Sequence, residues 1–327
     1  MRAVRDLRSG GPEVLEVGEA PEPSVTPDGV LIEVTAAGIN RADVLQRQGN
    51  YPVPPGATDV FGLEVSGTVT ALGADVPDAA GLAVGDSVVA LVDSGGYAER
   101  VVAPWPQVLP LPDGVDPVAA AGLPEVAATV FSNVFMAAAA REGETLLVHG
   151  GAGGIGTHAI QVARALGMTV LTTVGNEEKA RVVRELGAQA INYREEDFVE
   201  RVHELTGGRG ADVVLDVVGA AYLGPNLEAL ATNGRIVIIG MQGGAKGELN
   251  VGRLLQKRAA VIGTTLRARP AAEKASIMAA VREHVWPLVA SGRVRPLVSR
   301  AFPLEQARQA HEYFDSGSHV GKVLLTL

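Results

Sequence analysis

From His149 to Gly156 the chain reads HGGAGGIG, five glycines in eight residues. Glycine loses more backbone freedom on folding than any other residue, so such a cluster needs a geometric reason. It follows the apolar run TLLV and opens IGTHAIQVARALG, whose apolar spacing is helical. MTVLTTVG then supplies a second strand-like run. Gly151-x-Gly153-x-x-Gly156 is therefore a G-x-G-x-x-G at a strand-to-helix turn, and in that context it predicts a dinucleotide site. The first glycine is expected to permit the tight turn, the second to let backbone approach a pyrophosphate, and the third to let helix and strand pack closely. The N–H groups of Gly153, Gly154, Ile155 and Gly156 are then placed to hold the diphosphate at the helix start.

The pattern around this turn predicts an α/β chain. NEEKARVVRELGA reads as a second helix closed by Gly187, and ADVVLDVVG and GRIVIIGM as two further buried strands. Strands alternating with helices imply a parallel sheet covered on both faces. The first third differs. GVLIEVTAAGI, VSGTVTALG, GDSVVALV and YAERVVAP are short Val-rich runs punctuated by Gly, Pro and Asp, the pattern of strands and turns. The tail alternates helical (RPAAEKASIMAAVREHVWPLVASG, PLEQARQAHEYFDSG) and extended (VRPLVSRAF, GKVLLTL) segments with no further glycine loop. The expected division is a β-rich domain over residues 1–124, a nucleotide-binding domain over 125–265, and a tail, 266–327, that returns to the β-rich part.

The end of the second strand bears on which nucleotide is bound. An NAD site places Asp or Glu there, roughly 20 residues after the glycines, to hold the ribose 2′-OH. Here Thr173, Val174, Gly175 and Asn176 are uncharged, and Lys179 follows one turn into the next helix. Without the carboxylate a 2′-phosphate is not repelled, and Lys179 could pair with it, which favours NADPH over NADH. Glu177 and Glu178 are expected at the helix N-terminus, where acids are favoured, and Lys179 also fits a solvated surface lysine.

Composition narrows the chemistry further. The chain has 327 residues and no cysteine, which excludes disulfides, zinc-thiolate sites, iron–sulfur clusters and cysteine nucleophiles, and fits a reducing, cytoplasmic compartment. The net charge of −9 and the lack of a basic stripe argue against a nucleic-acid partner. No stretch of about 20 apolar residues and no leader-type N-terminus are read, so no membrane partner is expected. The six histidines form no H-E-x-x-H or other ligand pair, and no G-x-S-x-G is present. No metal site is expected, and His149 is read as the end of a strand.

In AGINRADVLQRQGNYPVPPG the polar residues singled out are Asn40 and Tyr51. Asn40 also fits a helix cap and Tyr51 a loop aromatic. GINRADVLQRQGNYPVPPG, FGLEVSGTV, VGDSVVAL, HGGAGGIGTHAIQVARALG and GKVLLTL, in that order, resemble the medium-chain dehydrogenase/reductase superfamily. The resemblance is closest to its zinc-free quinone oxidoreductase branch, and NRAD, QRQG and the Tyr-Pro loop point within it to the group of tumour-suppressor-induced quinone oxidoreductases and their bacterial relatives. It covers nearly the whole chain. It implies a GroES-like β-rich catalytic domain, a doubly wound Rossmann nucleotide-binding domain, an active site in the cleft between them, and a homodimer joined through the strand near AAVIGTTL. Zinc-dependent members carry Cys at Asn40, His at Leu63 and a four-cysteine lobe after SGGYAERVV, all lacking here.

By the same resemblance Asn40 and Tyr51 line a quinone pocket, with Tyr51 a hydrogen-bond donor to the acceptor oxygen. Thr129 faces the nicotinamide carboxamide, and Gly175, Lys179 and Tyr193 surround the adenosine 2′-phosphate. Gly240, Met241, Gln242, Leu266 and Arg267 line the nicotinamide end, though Arg267 also fits a surface arginine. The tumour-suppressor-induced group has a further lysine where this chain has Glu178, so phosphate binding rests on fewer cations. The implied activity is metal-free transfer from NADPH to a quinone, whose product disperses its own charge, so that alignment supplies much of the catalysis. The residues leave open an enone or enoyl-thioester reductase, or a nucleotide-binding protein with a structural or binding role, and do not distinguish one- from two-electron delivery.

Overall fold

The computed structural model describes residues 1–5 and 8–327. In chain order the front stretch supplies β1 (Arg2–Arg5), β2 (Glu16–Glu19), β3 (Gly29–Gly38), α1 (Arg41–Arg47), β4 (Glu64–Leu72), β5 (Ser87–Leu91), β6 (Arg100–Pro104), β7 (Val108–Pro110) and α2 (Pro117–Ala120). Next, α3 (Pro124–Val130) runs into a π-helical turn, Phe131–Ala137. The middle supplies β8 (Thr145–His149), α4 (Gly154–Ala165), β9 (Thr169–Val174), α5 (Glu177–Glu185), β10 (Gln189–Asn192), α6 (Phe198–Leu205), β11 (Ala211–Asp216), α7 (Leu223–Ala229), β12 (Leu230–Ile238), α8 (Val251–Lys257) and β13 (Ala260–Gly263). The tail supplies α9 (Ala271–His284), α10 (Trp286–Ala290), β14 (Val298–Pro303), α11 (Ala307–Asp315) and β15 (Lys322–Thr326).

Two compact units result. The first is Met1–Ala128 with Arg267–Ala290 and Pro296–Leu327; the second is Thr129–Leu266 with Ser291–Arg295. The units part between Ala128 and Thr129, inside α3, and not at the change of composition near residue 124, where that helix begins. The tail is also split. Gln161 of α4 holds Arg295 to the second unit by both amide atoms, donating to its carbonyl at 3.0 Å and accepting from its N–H at 2.9 Å. Arg293 donates to the Ala165 carbonyl at 2.6 Å, which closes the same helix end.

In the first unit a mostly antiparallel sheet runs in the order β14-β15-β3-β4-β5-β7, with β6 also on β3. The last strand β15 pairs antiparallel with β3, Leu324 opposite Gly38 and Leu325 opposite Ala37, so the chain ends in its front sheet. Val30, Ile32, Val34, Phe61, Val65, Tyr97, Val323 and Leu325 share one buried core.

In the second unit six strands, all parallel, follow the order β10-β9-β8-β11-β12-β13. β8 is buried along its whole length, which is why TLLVH shows no polar alternation. The order reverses between β8 and β11, and ligands of such sheets bind at the carboxyl ends of the strands beside that point.

One expectation needs correction. The helical run Pro117–Ala137 is long and apolar enough to cross a membrane by length and composition, although no such stretch was expected. Of its apolar 18-residue window 78 % is buried inside the protein, as in a core helix.

Candidate active site

The glycine turn leaves β8 at its carboxyl end, but its glycines divide the work differently from the expectation. The left-handed residue is Gly150, at φ +73°, not Gly151. Gly151 is needed for close approach: a Cβ there would lie 1.9 Å from Thr172 Oγ1 on β9. Gly153 is the N-cap of α4, and a Cβ on it would meet only the Gly150 carbonyl, at 3.6 Å, so the start of the helix is open to a ligand. A Cβ on Gly156 would stand 2.5 Å from both the Gly150 carbonyl and Gly151 Cα, so this glycine seats the helix on the turn.

His149 ends β8 and ties three strand ends together. Asn226 donates through Nδ2 to the buried Asp216 carboxylate at 3.1 Å, so its Oδ1 faces His149 Nε2 at 2.6 Å and that nitrogen carries the proton. Nδ1 therefore accepts from the Thr173 hydroxyl at 3.0 Å, and that hydroxyl accepts from Gly150 N–H at 3.3 Å. Burial pulls the His149 pKa from 6.5 to about 4, so the ring stays neutral and the network keeps one orientation. Asp216 Oδ1 accepts from the N–H groups of Val218 and Gly219 and shapes the loop after β11; burial raises its pKa.

At the carboxyl end of β9, Gly175 lies against the side chains after β10. A Cβ on it would stand 2.9 Å from the Tyr193 hydroxyl and 3.5 Å from Arg194 Nε. Asn176 caps α5, accepting from Lys179 N–H at 2.9 Å, so the first turn projects Lys179 near this group. Burial and the neighbouring Arg194 charge both lower the Lys179 pKa, while Glu178 opposes them. Glu177 turns to Arg184. Gly175, Lys179 and Tyr193 are thus brought together, and Arg194 joins them. Sequence reading missed Arg194, though a second cation beside Tyr193 is a recognisable signal.

Gly240, Met241 and Gln242 form the turn after β12. Gly240 lies close to the loop after β11, since its Cβ would stand 2.7 Å from the Val217 carbonyl, which also accepts from Gln242 N–H at 3.3 Å. Met241 is 55 % exposed. Asn133, in the π turn, donates to the Thr129 carbonyl at 2.7 Å and accepts from Thr264, bringing the buried Thr129 toward the segment that ends at buried Leu266.

Arg267 belongs to the other unit and is no surface arginine: it is 6 % exposed. It donates to the Asp93 carbonyl at 2.6 Å and to Gln46 Oε1 at 2.7 Å, and its guanidinium carbon lies 5.7 Å from the centre of the Tyr51 ring. Burial raises the Tyr51 pKa, the Glu125 charge adds to this, and Arg267 opposes it, so the phenol keeps its proton at neutral pH. Asn40 is the N-cap of α1 by position, with its backbone N–H donating to Asp43 at 2.8 Å. Its side chain is engaged elsewhere: Nδ2 donates to Glu64 at 2.9 Å and Oδ1 accepts from Lys322 at 2.7 Å. Burial pushes the Asp43 pKa up to about 6. Glu64 and Lys322 escaped the sequence reading, although a lone charge opening an apolar strand must be paired if buried.

Among the described residues no group of three or more His, Asp or Glu could hold a metal ion. The residues do suit a dinucleotide phosphate: an open helix start at Gly153, a Gly175 cradle with an aromatic hydroxyl, and cations where a carboxylate would select NADH.

Residues 26–113 match the alcohol dehydrogenase GroES-like domain family, and residues 154–282 the zinc-binding dehydrogenase family. A quinone oxidoreductase of Rattus norvegicus is 33 % identical over 336 residues, covering all of this chain and 98 % of its own. The chain belongs to the quinone oxidoreductase branch of the medium-chain dehydrogenase/reductases. Its units are accordingly a GroES-like domain and a Rossmann-like domain. The solved quinone oxidoreductase of Escherichia coli complexed with NADPH is 32 % identical with a TM-score of 0.87, each chain covered completely. A solved NAD-dependent alcohol dehydrogenase has the same identity, TM-score and coverage, so overall likeness does not select the cofactor.

Proposed function

We propose that this protein is an NADPH-dependent quinone oxidoreductase. The carrying observation is the group around Gly175, where Lys179, Tyr193 and Arg194 stand at the end of β9 in place of an acid. It lies in a chain collinear with quinone oxidoreductases. Gly153, Gly154, Ile155 and Gly156 hold the pyrophosphate, Gly175, Lys179 and Tyr193 the 2′-phosphate, and Thr129, Gly240, Met241, Gln242 and Leu266 the nicotinamide end. NADPH bound there supplies a hydride from C4 of its nicotinamide. The net reaction joins one hydride and one proton to a quinone and releases a hydroquinone. Tyr51 keeps its phenolic proton and donates a hydrogen bond to the acceptor oxygen as charge develops on it. Asn40 donates a second, and Arg267 steadies the Tyr51 ring from its face.

NADPH and NADH oxidation, followed with 1,2- and 1,4-naphthoquinone and with a simple enone, tests this. Quinone turnover with NADPH preferred is expected. Enone turnover without quinone turnover would make the protein an enone reductase. NADH preference would overturn the 2′-phosphate assignment, and NADPH binding without turnover on any acceptor would favour a binding role.

The same reading includes a cytoplasmic homodimer, supported by the cysteine-free composition and by β13. Among the described residues this strand pairs only with β12, and its other edge has no strand beside it. Light scattering at the mass of two chains is the expected result.

A further inference from the structure

Which atom of the Asn40 amide is available to an acceptor is decided by two buried charges. Lys322 opens β15 and Glu64 opens β4, at 4 % and 0 % exposure. Lys322 Nζ donates to three acceptors: Asn40 Oδ1 at 2.7 Å, Glu64 Oε1 at 2.5 Å and the Ile39 carbonyl at 3.1 Å. Glu64 Oε1 also accepts from Asn40 Nδ2 at 2.9 Å, and its Oε2 accepts from Glu125 N–H at 2.9 Å. An amide's oxygen and nitrogen are told apart by their partners. Flipping Asn40 would set its carbonyl oxygen against a carboxylate and its NH2 against an ammonium, two repulsions in a buried place. The oxygen is therefore committed to Lys322 and one N–H to Glu64. The second N–H has only the Gly38 carbonyl, at 3.4 Å, near the limit of a hydrogen bond.

We propose that Lys322 and Glu64 are positioning residues that lock the Asn40 amide as a hydrogen-bond donor, and so select acceptors presenting a carbonyl oxygen. This rests on the proposed role of Asn40 beside the quinone. The locked amide costs no reorganisation when charge develops on the acceptor oxygen, whereas a freely turning amide would offer its oxygen part of the time and repel that charge. The two residues touch neither acceptor nor cofactor in this scheme and act through Asn40.

Four variants test it, with thermal midpoint, KM for NADPH and kcat/KM for 1,4-naphthoquinone as readouts. Removing Lys322 alone would strand a buried carboxylate, so both charges are removed together in Lys322→Met/Glu64→Gln. This variant should leave KM for NADPH within about twofold and lower kcat/KM for the quinone about tenfold, the rate equivalent of one lost hydrogen bond. Asn40→Ala should show the same loss, and combining the changes should add little, as for groups acting in one chain. Asn40→Asp/Glu64→Gln keeps one buried negative charge beside Lys322 but replaces the donor by an acceptor. It should fold and lose quinone turnover even if the first pair of substitutions fails to fold. Normal quinone kinetics in folded Lys322→Met/Glu64→Gln, with Asn40→Ala impaired, overturns the positioning role alone; normal kinetics in folded Asn40→Asp/Glu64→Gln overturns the donor role of Asn40 itself. Unchanged turnover in Asn40→Ala overturns the reading on which it rests.

Discussion

Acidification should loosen the nucleotide-binding unit through His149. Its ring is 1 % exposed, and burial lowers its pKa from 6.5 to about 4. In the unfolded chain the ring takes up a proton near its ordinary pKa, while the folded state resists until about pH 4. Below pH 6.5 the unfolded state therefore binds more protons, and stability falls as pH falls. The contribution is fully present above that value and is exhausted below about pH 4. A displacement of about 2.5 pH units corresponds to about 3 kcal/mol, a large part of the stability of an ordinary domain. Protonation also makes Nδ1 a donor, so the Thr173 hydroxyl hydrogen must turn away and its oxygen must accept from Nδ1 as well as from Gly150 N–H. His149→Gln does not titrate and isolates this effect from all other groups. Hydrogen–deuterium exchange of peptides covering β8, β9 and β11, corrected for intrinsic rates, reads the opening free energy of these strands. Between about pH 7.5 and pH 4.5 the wild type should lose roughly 2–3 kcal/mol more than the variant. Equal losses would refute the assignment of a neutral, buried His149 as the knot of the three strand ends.

Lys179→Ala should raise KM for NADPH about 10- to 100-fold, the cost of a lost charge-assisted hydrogen bond, and leave NADH kinetics unchanged; steady-state assays with both cofactors check this. Tyr51→Phe should lower kcat for naphthoquinone several-fold, on the order of one hydrogen bond, with KM for NADPH unmoved. Gly156→Ala, forced against Gly150 and Gly151, should lower stability by about 1–3 kcal/mol in urea unfolding. Gly153→Ala, whose Cβ meets only one distant carbonyl, should fold normally yet weaken NADPH in titration calorimetry.

Much of the fold was legible because burial leaves marks on composition. The middles of β8 (Leu146–Val148) and β11 (Val213–Leu215) are buried and apolar without alternation, and Gly187, at φ +90°, stops α5 where a C-cap glycine was expected. The glycine turn was legible by spacing, yet spacing does not tell which glycine bends the chain and which makes room. Gly150, which lies outside the motif, bends the chain, and Gly151, expected to bend it, instead makes room for Thr172 of β9. Arg267 shows the same limit: sequence alone did not separate a surface arginine from one held by Asp93 and Gln46, which lie far away along the chain.

The sequence by itself determined the order of elements, the nucleotide turn, the missing carboxylate after β9 and the absence of cysteine, since each depends on neighbours in the chain or on composition. Only the tertiary structure decided that Lys322, Glu64 and Asn40 meet, or that His149, Thr173, Asn226 and Asp216 form one network. Their partners come from strands and helices remote in sequence. A buried charge reports that it must be paired; strand register and packing choose its partner.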